Sequence, residues 1–161
     1  MSTWSSRNFA AVAVAATMAV GGSLSASAQR ASMPADRDRF IGGWRLVSLE
    51  EQAADGSVHK ADCTGLFVFT RDGHASVQVM YRNIGNAASA PSEYSQAGYE
   101  ATFGRYEVKE ESKTFTFHVE GALVRSLVGK DLPRRYEFSG NQLIVRPSSP
   151  DEHWRVTWER Y

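Results

Sequence analysis

His118 and Glu120 stand two apart in the run Thr114-Phe115-Thr116-Phe117-His118-Val119-Glu120. On an extended strand, residues two apart point to the same side. An imidazole and a carboxylate would therefore share one face, where they could move a proton or orient a polar ligand. Tyr106 on the preceding segment and Arg134 or Arg135 on the following one would add a phenol and a guanidinium. Inside one cavity these groups would form an acid/base set or a ligand clamp, and once buried they would have to pair with one another. Ser76, Gln78 and Met80 share a face of another segment and would offer an amide and an adaptable thioether. The same residues read equally well as a structural hydrogen-bond network or as solvated strand faces. Periodicity is compatible with either side of 114–120 facing inward.

Other chemistries find little support. His59, His74, His118 and His153 are scattered without metal-ligand spacing. A lone histidine in a barrel can hold haem, and His118 or His153 would be the candidate, but no cofactor is expected. The chain has no Gly-rich phosphate loop, no Gly-x-Ser-x-Gly and no Cys/His nucleophile pair. Its one cysteine, Cys63, excludes an internal disulfide and reads as a small packed residue.

The elements that must position these residues are short and β-like. Segments at about 44–52, 66–70, 75–81, 101–108, 114–120, 134–138, 143–146 and 153–161 carry strand-forming residues separated by turn residues. Arg71-Asp72-Gly73 is the firmest hairpin signal, since Asp-Gly tolerates positive φ. Ser139-Gly140-Asn141 and Ala54-Asp55-Gly56 make further turns. Asn83 to Ser92 is rich in Ala, Ser and Asn and reads as a loop. Ser92 to Gln96 follows as a short helix with Ser92 as its N-cap. Many short strands with turns about every ten residues mean an all-β barrel or sandwich. The ends of the folded part favour a barrel: Gly42-Gly43-Trp44 opens it and Trp158-Glu159-Arg160-Tyr161 closes it. In a closed barrel the last strand meets the first, and Arg160 can lie over Trp44 as an end plug.

The amino terminus follows another pattern. A polar stretch with one positive charge, Arg7, precedes an Ala/Val-rich run from Phe9 to Val20, and Ala26 and Ala28 fit a signal-peptidase site. Residues 1–28 are expected to be a Sec-type signal peptide and 29–39 a flexible leader, with the barrel domain at 40–161. The apolar run is too short to span a bilayer comfortably. The exported chain would be periplasmic or secreted and would carry 17 basic against 18 acidic residues. That balance argues against nucleic acid as a partner.

Taken in order from about residue 40 onward, several pieces resemble one family. They are Gly43-Trp44-Arg45-Leu46-Val47-Ser48, Asp55-Gly56-Ser57, Thr70-Arg71-Asp72-Gly73, Ser76-Val77-Gln78-Val79-Met80, Phe103-Gly104-Arg105-Tyr106-Glu107-Val108, Arg134-Arg135-Tyr136-Glu137-Phe138 and Trp158-Glu159-Arg160. In these the chain resembles the bacterial lipocalin-like domain proteins, within the calycin-type barrels. The resemblance implies an eight-stranded antiparallel barrel with a central cavity; it supplies no activity. The Ala/Ser-rich stretch from Asn86 to Ala90 departs from it, near the expected mouth. The expectation is an exported binder of a small, partly apolar molecule, oriented by Gln78, Met80, Tyr106, His118, Glu120 and Arg134. The alternatives are a cofactor-free isomerase or cyclase using His118 and Glu120, and a filled barrel acting through a protein partner.

Overall fold

A computed structural model describes residues 35–53, 55–83 and 93–161. The expected signal peptide, most of the expected leader and the 86–90 stretch lie outside these residues. The chain runs through helix α1 (Asp36–Phe40), then strands β1 (Gly42–Gln52), β2 (Val58–Lys60), β3 (Cys63–Phe69), β4 (His74–Tyr81), β5 (Tyr99–Lys109) and β6 (Thr114–Ala122). A 3-10 turn (Arg125–Leu127) precedes β7 (Asp131–Ser139), β8 (Gln142–Pro147) and β9 (Trp154–Arg160). From β3 onward each strand pairs antiparallel with the next, and β9 returns to pair with β1 from Trp44↔Arg160 to Glu51↔Trp154. That closes an eight-stranded barrel. The ninth strand, β2, is a short addition beside the end of β1.

Alternation along the strands shows how the barrel is filled. On β6, Phe115, Phe117 and Val119 are buried, with at most 5 % of their surface exposed. They therefore face inward, and Thr116, His118 and Glu120 take the outer side. The apolar side wins because it removes two phenyl rings and a valine from water, at about 25 cal/mol per Å². On β5 the inward set is Thr102, Gly104 and Tyr106. Opposite Phe103 and Gly104 the partner strand β6 has a bulge, with Glu120 as its extra residue. The close approach there requires glycine: a Cβ at position 104 would lie 2.0 Å from the His118 carbonyl oxygen.

The two ends differ. At one end the β3–β4, β5–β6 and β7–β8 turns gather around α1. Phe40 is fully buried among Phe69, Phe115, Tyr136 and Phe138, with ring centroids 4.9–5.3 Å apart. Trp44 donates its indole N–H to the Phe40 carbonyl at 2.7 Å. The Arg160 guanidinium lies 4.4 Å from the Trp44 ring centroid and donates to the carbonyls of Ile41 and Arg39. The plug expected from Trp44 and Arg160 is thus present, with α1 beneath it. Residues 36–39, assigned to the leader by the sequence, are part of this closure. The short helix of the fold lies here too, whereas the expected segment from Glu93 forms a turn and a Gln96–Tyr99 bridge. At the other end, among the described residues, no helix or cluster of rings closes the interior as α1 does here.

Candidate functional site in the barrel

Above the aromatic plug the barrel is not filled. It holds a cavity of about 80 Å³. The walls are largely apolar: Phe67 from β3, Val77 and Val79 from β4, Phe115 and Phe117 from β6, Val145 from β8 and Trp158 from β9. The polar groups lie toward the open end: Tyr81, Tyr94, Glu100, Thr102 and Arg134.

Pairing parity explains which residues can meet. The β5–β6 turn sets Tyr106 opposite Phe117, and the β6–β7 pairing sets Arg134 opposite Phe115. Residues directly opposite on neighbouring strands share a face. If Tyr106 and Arg134 are inside, Phe115 and Phe117 must be inside, and His118 and Glu120 cannot be. The expected His118–Glu120–Tyr106–Arg134 cluster is therefore divided between the two surfaces of one sheet.

Each expected residue has a definite place. Arg134 is 7 % exposed and lines the cavity. Tyr106 is inward but lies at the plugged end, where its hydroxyl donates to the Thr70 carbonyl at 3.0 Å. His118 stands on the outer face with Nδ1 2.7 Å from Asp131 and Nε2 3.9 Å from Glu107. Glu120 is also outside, 3.4 Å from Arg105. Gln78 is exposed and accepts from the Tyr99 hydroxyl at 3.2 Å, and Met80 is 45 % exposed beside it. Inward placement of His118, Glu120, Gln78 and Met80 is thus corrected: on β4 the inner face belongs to Ala75, Val77 and Val79.

The sequence reading missed Glu100. Its strand begins at Tyr99, two residues before the expected start, and Glu100 shares the inward parity of Thr102 and Tyr106. The signal was available, since the parity that placed Tyr106 inside places Glu100 there too. Burial pushes its carboxyl up to about 7, and the nearby Arg134 charge opposes that rise. Glu152, on the loop before β9, was also missed. It lies 3.6 Å from Arg134 and accepts hydrogen bonds from Tyr94 at 2.6 Å and Trp154 at 3.0 Å. Burial raises the Tyr94 and Tyr81 hydroxyls above the ordinary phenol range. It also raises Glu51, which accepts from Tyr81 at 3.5 Å. Cys63 is half-buried, and desolvation pushes its thiol up to about 11, which suits packing and not nucleophilic attack. Among the described residues no group of His, Cys, Asp and Glu could hold a metal ion.

The described residues form a closed antiparallel barrel around a largely apolar cavity. Residues 41–161 match the lipocalin-like domain family, and the chain belongs to that family. Similar solved structures include a lipocalin-like protein from Bacteroides uniformis, with 17% sequence identity, 76% of this chain and 99% of that one covered, and a TM-score of 0.46. An uncharacterized protein from Bacteroides eggerthii shows 14% identity over 76% of this chain and 99% of its own, with a TM-score of 0.45. A mutant of the fluorescent protein UnaG shows 10% identity over 77% and 97%, with a TM-score of 0.39. No curated protein matches the chain.

Proposed function

We propose that this protein binds a small, largely apolar molecule in the open half of its barrel and does no chemistry on it. The observation that carries this reading is the unfilled, apolar-walled interior above a fully packed plug. A domain of this size gains stability by filling its core, so space kept open between rigid strands is suited to a ligand. Binding would be driven by removal of apolar ligand surface from water. The polar groups at the open end would set orientation. The isomerase or cyclase alternative needed His118 and Glu120 in one cavity, and their outward placement withdraws its motive. The signal-like pattern of residues 1–28 supports export as the setting in which the ligand is met.

The reading is tested by filling the lumen. Val79→Phe puts a ring where an inward valine lines the cavity. A panel of small apolar probes titrated against tryptophan emission should report binding to the wild type, since Trp154 and Trp158 line the site. The variant should bind at least tenfold more weakly while keeping its far-UV spectrum. Equal binding by both proteins would place the site elsewhere, and a wild type that binds no probe would return the barrel to a role through a protein partner.

A further inference from the structure

The cavity's two charged groups are not equivalent. Arg134 has a carboxylate partner: it is ion-paired with Glu152, donates to the Pro133 carbonyl at 3.2 Å, and its guanidinium carbon lies 5.1 Å and 5.0 Å from the ring centroids of Tyr94 and Trp154. Glu152 in turn accepts from both of those aromatic residues. The four side chains contact one another as a group.

Glu100 has no such arrangement. It points inward from β5 opposite Val79, and among the described residues none donates a hydrogen bond to it. Glu100 is half-buried, and a carboxyl drawn partly out of water without a donor is costly. Nearby groups do not relieve it. The Tyr81 hydroxyl, from β4, is committed to Glu51 of β1. The one charge that favours ionised Glu100 is Arg134 of β7, and Glu152 already balances that. Glu51 and Glu152 add further negative charge at this end. An anionic ligand would leave Glu100 unpaired, and among the described residues lining the cavity the one cation, Arg134, already faces Glu152.

We infer that the ligand carries a protonated amine on an apolar body and presents that amine to Glu100. This rests on the binding reading above and names the ligand class for it. The apolar walls would take the body, and the carboxylate would accept the N⁺–H bonds it lacks in the empty barrel. A cavity of about 80 Å³ keeps the body small.

Three probes of one shape separate the possibilities: cyclohexylamine, cyclohexanol and cyclohexanecarboxylate, titrated calorimetrically into the full chain at pH 8. The amine should bind at least tenfold more tightly than the alcohol, and the carboxylate most weakly. Glu100→Gln should bring the amine down to the level of the alcohol and leave the alcohol unchanged, which also shows the variant is folded. A measurement without mutation gives the same answer: from pH 8 to pH 5 the wild type should lose at least tenfold of its amine affinity, with cyclohexanol unaffected. Equal binding of the three, tightest binding of the carboxylate, or an amine preference that survives both Glu100→Gln and pH 5 would overturn the inference and leave the binding reading standing. Failure of all three probes to bind would remove both.

Discussion

Asp36 and Glu100 are carboxylates at opposite ends of one barrel, and their surroundings differ in kind. Asp36 is 9 % exposed at the plugged end. Burial acts to raise its pKa, but Lys113 at 2.5 Å, the Tyr136 hydroxyl at 2.8 Å and Arg39 at 3.7 Å together hold it below the ordinary carboxylate value. Glu100 is desolvated with no donor among the described residues, and its carboxyl is pushed up to about 7. One end is completed by the chain's own residues; at the other, none of the described residues donates to the carboxyl. A fully paired buried charge is a structural device; an unpaired one facing open space is better explained by what enters that space.

The contrast is broken most severely by emptying the plug. Phe40→Ala removes a fully buried ring from contact with four others, and should cost about 3–5 kcal/mol of unfolding free energy in urea titrations. Molecules that remain folded should still bind small apolar probes, because Phe40 does not line the cavity. Loss of probe binding in a folded Phe40→Ala protein would mean that the two ends are not independent.

Asp36→Asn comes next. It removes the negative charge facing Lys113 and leaves Lys113 and Tyr136 one amide oxygen to share, and should cost about 2–3 kcal/mol near neutral pH. Asp36 is held below its unfolded value of 3.8, so its contribution is present above that pH and is lost as pH falls through the folded value. The stability gap between wild type and variant should therefore close in strong acid. Glu100→Gln should act with the opposite sign. A carboxyl raised from 4.5 to about 7 leaves the native state holding a proton that the unfolded state has released. Stability then falls as pH rises from about 4.5 to 7. The variant should match the wild type near pH 4 and exceed it by on the order of 1–2 kcal/mol at pH 8, after allowing for the amide's own cost of burial. A Glu100→Gln protein less stable than wild type at pH 8 would show that the carboxylate has a partner after all.

The barrel itself was legible because its signals are local or terminal. Arg71-Asp72-Gly73 reverses the chain as expected, with Gly73 at φ +91°. The Trp44 and Arg160 ends meet because closure brings first and last strands together. α1 was not legible: five residues are too few to show a helical period, and only Asp36 and Phe40 of Asp-Arg-Asp-Arg-Phe are buried. β2 was missed because all three of its residues are exposed and carry no alternation. The site was harder still. Periodicity sorts a strand into two faces without saying which is inside, and only the register between strands decides it.

His118 is where that distinction can be measured at the smallest scale. By residue type it was the strongest functional candidate in the chain, yet its side chain is 39 % exposed on the outer face. Its carboxylate partners, Asp131 and Glu107, are more exposed still. Exposed pairs of this kind contribute little, because water competes for both charges and long side chains must be held in place. His118→Ala should therefore change unfolding free energy by no more than about 0.5 kcal/mol and leave probe affinity unchanged within error. The neighbouring inward position behaves differently for the same strand: Phe117→Ala removes cavity wall and core together. If His118→Ala were to weaken probe binding while Phe117→Ala did not, the faces of β6 would have been assigned the wrong way round. Strand register would then no longer determine which residues line the cavity.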